Sequence, residues 1–189
     1  MMMGIDTTQH AVHMGIPGVI FAVRQQRPVL VRQGAPADTE ALVRMYRQLS
    51  ERSIRLRYGA PRYGISDAAL QAEMAQAVGA APGGQISLIG SVGEDGVQNL
   101  VALLQLVPLP HEPGTAEVAI VVRDDYQRQG VGRALCRRIG ELARAQGVRR
   151  LQIDMLAENR PVLRLIQSMG AHYTSETRRG ETRVIIVLE

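Results

Sequence analysis

Residues 127–132, with the sequence Gln-Arg-Gln-Gly-Val-Gly, join a run of β-branched residues to an amphipathic segment. The order strand, loop with two glycines, helix is compatible with only a few local folds. Glycine has no Cβ, so the backbone can come close to a ligand. Several N–H groups then point the same way at the start of the helix, where the helix dipole favours negative charge. The feature predicts a binding site for a phosphate or pyrophosphate, and hence for a phosphorylated cofactor.

The apolar pattern places this loop within a series of strands and helices. We predict strands over residues 29–32, 85–92, 100–107, 116–123, 150–156, 171–176 and 182–188. We predict helices over 38–49, within 53–63, and over 66–78, 131–146 and 159–169. This order predicts a mixed sheet flanked by helices. Residues 1–27 have no clear period, and we expect them to be a poorly ordered N-terminal arm before a single domain over 28–189.

The amino-acid composition limits which classes of partner this protein is expected to bind. Aromatic residues make up only 3% of the chain, so the stacking platforms that bind single-stranded nucleic acids are largely missing. The net charge of +4 is modest and fits a polyanionic cofactor as well as a nucleic acid. Because the arginines are scattered along the chain, we expect no nucleic-acid partner.

Metal binding and membrane insertion are not expected either. The single cysteine, Cys136, excludes an internal disulfide and a cysteine-based metal cluster, and the four histidines lack ligand spacing on a helix. No apolar run approaches the roughly 20 residues that span a bilayer. Residues 15–23 lack the flanking pattern of a signal peptide. We therefore expect a cytoplasmic protein without a metal site.

Two further sequence features, together with the glycine loop, form a pattern that is typical of a known family. The strand over 116–123 precedes the loop and a helix follows it, and Asn159 opens a later helix that Gly170 ends, eleven residues on. In sequence and order, residues 29–189 resemble the GNAT superfamily of N-acetyltransferases. The resemblance implies an α/β (α+β) fold with a mixed, mostly antiparallel central sheet flanked by helices. The run over 116–132 and the Arg-rich stretch over 49–62 look most similar to the bacterial protein lysine acetyltransferases.

The resemblance implies acetyl-CoA as co-substrate. In this family the central strand pairs with the pantetheine arm, the glycine loop holds the pyrophosphate, and the Asn contacts the cofactor near its thiol. Two arginines of the loop and helix start could add charge to the phosphate site. The implied cofactor-binding residues are Ile120, Val121, Val122, Gln127, Arg128, Gln129, Gly130, Val131, Gly132, Arg133 and Asn159.

Acetyl transfer to an amine needs a base, because a lysine amine has a pKa near 10.4 and must lose a proton before it attacks. Glu117 matches the position of the base in the lysine acetyltransferases, and we expect apolar neighbours on part of its surface. A backbone N–H of the strand, for which we expect Val122, would stabilise the oxyanion. Ile166 stands where many relatives carry a Tyr that protonates the leaving thiolate, which leaves Tyr173 or Tyr126 as weak substitutes.

The acceptor is the part of the reaction that the sequence leaves open. A protein lysine is our first hypothesis, and all 22 basic residues of the chain are Arg, so such an enzyme could not acetylate its own side chains. The alternatives are a small amine, such as a polyamine, an amino acid or an aminoglycoside, and a catalytically silent acetyl-CoA sensor. We expect the acceptor groove between residues 38–78 and the C-terminal hairpin. A homodimer is possible by analogy with the family.

Overall fold

The sheet of this computed structural model is mixed and mostly antiparallel, as the sequence predicts. The structure describes residues 18–22, 28–79, 83–94 and 97–188. Within these ranges the strands are β1 (Val19–Ala22), β2 (Pro28–Gln33), β3 (Ile86–Glu94), β4 (Val97–Pro108), β5 (Thr115–Val122), β6 (Arg150–Leu156), β7 (Tyr173–Arg178) and β8 (Glu181–Val187). They form one sheet in the order β1-β2-β3-β4-β5-β6-β8-β7. Every described pair of neighbours is antiparallel except β5 and β6, which run parallel.

Helices cover both faces of the sheet. They are α1 (Thr39–Arg47), α2 (Glu51–Tyr58), α3 (Asp67–Val78), α4 (Val131–Ala145) and α5 (Arg160–Ser168). Side chains alternate across a strand, so β5 contributes to two cores. Val118 packs in the core beneath α4 and α5, whereas Val121 packs in the core beneath α1, α2 and α3. Strand β5, which carries the predicted site, therefore lies between two layers of helices.

Helix α2 begins two residues earlier than the sequence suggested. The pattern predicted a short helix within 53–63, but α2 begins at Glu51 because the Ser50 side chain caps it and accepts a hydrogen bond from Ser53 N. Gly59, with φ of +75°, ends the helix. Ser66 caps α3 in the same way, through Ala69 N. Serine caps satisfy N–H groups that have no partner in the first helical turn, and they set where each helix begins.

Part of the predicted N-terminal arm belongs to the sheet. Residues 19–22 form β1, with Val19 opposite Val31 and Ala22 opposite Pro28 in β2. The expectation of a poorly ordered arm is wrong for these four residues, because the short apolar run Val-Ile-Phe-Ala suits an edge strand. Residues 1–17 and 23–27 lie outside the described residues.

The β5–β6 pair positions the site, because its ladder is short. The register runs from Thr115 opposite Arg150 to Glu117 opposite Gln152 and pairs no residue beyond that point. β5 continues to Val122 and β6 to Leu156, so the two strands separate as they approach their C-terminal ends. Parallel neighbours that separate leave backbone N–H and C=O groups without a strand partner. Among the described residues, no helix is both long and apolar enough to cross a bilayer.

Candidate active site

The open edge of β5 lies where the two parallel strands separate. Arg123 N donates to Val101 O at 2.8 Å, and Leu109 N donates to Thr115 O at 2.9 Å. In an antiparallel pair every second residue exchanges such bonds, so the odd-numbered residues of β5 face β4. Ile120 and Val122 direct their N–H and C=O groups the other way, into the opening.

A cleft that is open to solvent occupies this gap. Its lining is mostly apolar with a few polar groups, as is typical of ligand sites. The lining residues are Leu56, Arg57, Val118, Ala119, Ile120, Cys136, Ile153, Asp154, Met155, Asn159, Val162, Leu165 and Ile166. An extended ligand with amide groups could pair with the open edge of β5 as an added strand does.

The glycine loop forms a concave backbone at one end of the cleft. Arg128 and Gly130 have φ of +60° and +100°, and Gly130 is the residue that precedes the first turn of α4. Ala134 N donates to Gly130 O at 3.0 Å. The N–H groups just before Ala134 belong to the first turn, where a helix has no internal partner for them. Such a set of N–H groups is suited to bind an anion.

Gly132 lets α4 begin close to the strand. A Cβ at this position would lie 3.3 Å from Leu165 Cδ2 and 3.7 Å from Ile120 Cδ1. The first of these distances is shorter than an ordinary carbon–carbon contact. The side chain of Val131 is buried in the core, so only its backbone faces the loop. Arg128 and Arg133 are exposed beside the same turn, where they could add positive charge.

Three of the residues that were predicted to contact the cofactor make contacts within the protein. The Gln127 side-chain amide donates to Val122 O at 3.0 Å and to Ser53 Oγ at 3.1 Å. The Gln129 amide donates to Asp125 O. Val121 is opposite Leu103 in the ladder with β4, and its side chain is buried. Gln127 and Gln129 therefore shape the loop with their side chains, and Val121 turns its backbone away from the cleft.

Asn159 lies at the wall of the cleft and caps α5. Its Oδ1 accepts from Val162 N at 3.4 Å, and its Nδ2 donates to Leu56 O at 3.4 Å. Only 5% of the residue is exposed. The side chain thus holds the start of α5 against α2.

Glu117 is at the last rung of the β5–β6 ladder, on the face that α2 covers. Its side chain is exposed, and the expectation of apolar neighbours on part of its surface stays a prediction. Gln152 is opposite Glu117 in β6, and the strands separate immediately beyond this pair. Because the opening begins there, water reaches the carboxylate. Val122 is five residues further along β5, about 17 Å away in an extended strand.

None of the described residues that line the cleft is a tyrosine. Ile166 lines it with an apolar side chain. Tyr126 is buried beneath Arg123, whose guanidinium is 4.7 Å from the ring centroid, and Tyr173 Oη accepts from Gln167 Nε2. Cys136 also lines the cleft, and burial raises the pKa of its thiol to about 12. The thiol therefore stays neutral and is a poor nucleophile.

Several polar residues at the cleft were not singled out from the sequence. Arg57 of α2 donates through Nη2 to Gln105 Oε1 at 2.7 Å, and its guanidinium is 5.0 Å from the Tyr58 ring centroid. Asp154 of β6 accepts from Gln152 Nε2 and Arg183 Nε, each at 2.7 Å. The only signal for Arg57 was its place in the Arg-rich stretch. Among the described residues, no cluster of His, Cys, Asp and Glu could hold a metal ion.

The open strand edge beside a helix start suits an extended ligand that ends in a phosphate group. The model of the Acetyltransferase (GNAT) family matches residues 52–171. This match covers more than half of the chain, so the chain belongs to the GNAT family and is an acyltransferase. The family uses acetyl-CoA as its co-substrate.

Solved structures have the same fold. The GNAT domain of S. lividans PAT is 24% identical, with a TM-score of 0.76 over 90% of this chain and 97% of that one. A cAMP-binding acyltransferase from Mycobacterium smegmatis is 22% identical, with a TM-score of 0.59, and the match covers 91% of this chain but 48% of that one. A GCN5-related N-acetyltransferase from Kribbella flavida is 17% identical, with a TM-score of 0.66 over 85% of this chain and 98% of that one. At these identities the likeness concerns the fold alone.

Proposed function

We propose that this protein transfers the acetyl group of acetyl-CoA to a primary amine, and that the amine is a protein lysine. The observation that carries the proposal is the open edge of β5, which leads directly into the glycine loop and the start of α4. Family membership supplies the donor. The lysine acceptor rests on the sequence similarity to lysine acetyltransferases and on the access to Glu117 from solvent.

The donor lies along β5 in this proposal. Amide groups of the pantetheine arm pair with the backbone of Ile120 and with the N–H of Val122, which face the opening. The pyrophosphate accepts hydrogen bonds from the N–H groups of residues 130–133, with Arg128 and Arg133 beside it. Asn159 borders the thiol end of the cleft.

Glu117 acts as the general base through water. It takes the proton of the amine, whose lone pair attacks the thioester carbonyl and forms a tetrahedral intermediate. We assign the oxyanion donor to Ile120 N–H rather than to Val122, because Ile120 is only three residues, about 10 Å, from Glu117 along the strand. The intermediate collapses and expels the CoA thiolate. A thiol has a pKa of about 8.5, so the thiolate can leave without a tyrosine at Ile166.

The direct test follows the release of CoA thiol with a panel of acceptors: a lysine-containing protein, a lysine peptide, spermidine and an aminoglycoside. Titration calorimetry with acetyl-CoA runs in parallel. We expect thiol release with the protein or peptide that exceeds the rate without an acceptor. Turnover on the small amines alone would contradict the protein lysine. Tight acetyl-CoA binding without turnover on any amine would contradict transfer and favour a sensor.

A further inference from the structure

Arg57 differs from two other half-buried arginines of the same helical face and sheet. Arg32 pairs with Asp38 at 2.7 Å, and Arg62 pairs with Glu73 at 2.6 Å. Within the described part of the chain, Arg57 makes no ion pair. Its one hydrogen-bond partner there is the neutral amide of Gln105.

An unpaired cation in this place is costly. A charged group loses hydration when it is buried, and only a partner restores the loss. Burial lowers the pKa of Arg57, although a guanidinium stays protonated in proteins. The carboxylates of Glu73 and Glu117 offset part of that shift from beyond ion-pair distance. Gln105 and the Tyr58 ring hold the guanidinium in place, while the residue lines the open cleft. The group is thus oriented in advance for a ligand that enters the cleft.

The sheet register places Arg57 close to the proposed base. Gln105, which binds Arg57, is opposite Ala119 in β5. Glu117 and Ala119 lie on the same face of β5, two residues apart, which is about 7 Å. An amine that approaches Glu117 therefore brings its nearest substituents toward the guanidinium. Asp154, the other charged residue of the cleft lining, is already paired with Arg183.

We infer that Arg57 binds a carboxylate that the acceptor carries next to its reactive amine. A guanidinium binds a carboxylate through two parallel hydrogen bonds, which gives direction as well as charge. The inference rests on the proposed acetyl transfer and specifies its substrate class. The carboxylate could come from an acidic residue beside the acceptor lysine, or from a free amino acid that is itself the acceptor.

The test compares matched acceptors and matched variants. One pair of peptides differs only in a Glu or a Gln next to the lysine. One pair of small acceptors is an amino acid and its carboxamide. For the wild-type protein we expect kcat/KM to be about ten-fold higher for the acidic member of at least one pair. In Arg57→Gln this ratio falls to about one, mainly through KM, and in Arg57→Lys it is intermediate because the charge remains.

Arg52→Gln is the matched control, since Arg52 is an exposed arginine on the same helix and its loss changes the net charge equally. We expect it to keep the wild-type preference. Thermal unfolding and acetyl-CoA binding verify that each variant is folded. The pair that shows the preference identifies the source of the carboxylate.

Three results would overturn the inference while leaving the proposed acetyl transfer intact. The first is turnover of all acceptors by the wild-type protein without preference for an acid. The second is the same preference in the wild-type protein and Arg57→Gln. The third is an equal fall of kcat for both members of a pair, which would place Arg57 at the thioester. If no amine is acetylated although acetyl-CoA binds, the proposed transfer fails and the Arg57 assignment falls with it.

Discussion

In the proposed function the cleft has a donor side and an acceptor side, and these two sides are built in different ways. The donor side consists of β5, the glycine loop and the first turn of α4, which follow one another in the chain. Its binding groups are mostly backbone N–H and C=O. The acceptor side consists of side chains, such as Arg57, Gln105 and Asp154, that come from separate elements. A backbone site leaves a contiguous motif in the sequence, whereas a side-chain site is assembled only when the sheet forms.

Hydrogen bonds to Asp124 nevertheless connect the two sides. Asp124, just after β5, accepts from Ser50 N at 2.9 Å and from the hydroxyls of Ser50 and Ser53 at 2.7 and 2.8 Å. Gln127 reaches the same Ser53 hydroxyl. These bonds fasten the start of α2, the helix that carries Arg57, to the loop of the donor side.

Removal of the proposed base should give the largest difference between an effect on turnover and an effect on acetyl-CoA binding. We expect Glu117→Gln to lower kcat by about 10² to 10³, because a general base contributes that much to proton transfer. Acetyl-CoA affinity should change less than two-fold, since Glu117 lies on the acceptor side. Steady-state thiol release and calorimetric titration measure the two quantities.

The control for this variant is Glu112→Gln, which removes an exposed carboxylate from the loop before β5. It should keep wild-type turnover. If Glu117→Gln retained full turnover, another group would have to accept the proton. If it lost acetyl-CoA affinity instead, Glu117 would belong to the donor side.

On the donor side, Gly130→Ala should weaken acetyl-CoA binding about ten-fold, because an L-residue at φ of +100° strains the backbone by roughly 1–2 kcal/mol and shifts the N–H groups. Gly147→Ala is a matched control. Gly147 follows the other end of α4 with φ of +77°, and a methyl group there would extend into open space. Both variants should lose similar stability, but only Gly130→Ala should lose affinity. Equal affinities would exclude the loop as the phosphate site.

The contrast between the two sides also explains what the sequence could predict. The glycine loop, the strand before it and the helices around it follow from local spacing, and the mixed sheet is confirmed. The motif did not show that the side chains of Gln127 and Gln129 bind the protein, because local spacing does not fix where a side chain points.

Other features depend on contacts between distant residues. Glu117 was placed on the right strand, but its exposure follows from where β5 and β6 separate, which no local pattern encodes. Arg57 is one of several arginines in its stretch. Only the sheet register brings it to Gln105, and within the described residues no carboxylate lies at ion-pair distance from it.

The stability that the hydrogen bonds of Asp124 contribute should depend on pH. Burial by itself would raise the pKa of Asp124, but hydrogen bonds from Ser50 and Ser53 outweigh it and hold the pKa below the ordinary 3.8. A lowered folded-state pKa adds stability that is complete above the unfolded value and is lost as the pH falls through the folded one. We therefore expect Asp124→Asn to lower the free energy of unfolding by about 1 kcal/mol at pH 7, and by less below pH 3.8.

Urea unfolding at pH 7, 5 and 3 checks this expectation. Asp125→Asn is the control, since its exposed carboxylate pairs with Arg123 and does not reach α2. Its effect should stay within about 0.5 kcal/mol. A difference for Asp124→Asn that did not shrink at pH 3 would mean that the carboxylate charge is not what holds α2 to the loop.

The smallest effect is expected at the rim, where Arg55 of α2 pairs with Glu158, just before the cap of α5. Both side chains are about half exposed, at 45% and 54%, and solvent screens such pairs, so the coupling energy should be below about 0.5 kcal/mol. A double-mutant cycle with Arg55→Gln and Glu158→Gln, followed by urea unfolding, measures it. A coupling above about 1 kcal/mol, the upper end for exposed pairs, would show that the rim, and not only Asp124, joins the two sides. Acetyl-CoA affinity of the same variants would then have to fall as well, because Asn159 follows Glu158 directly and would move with it.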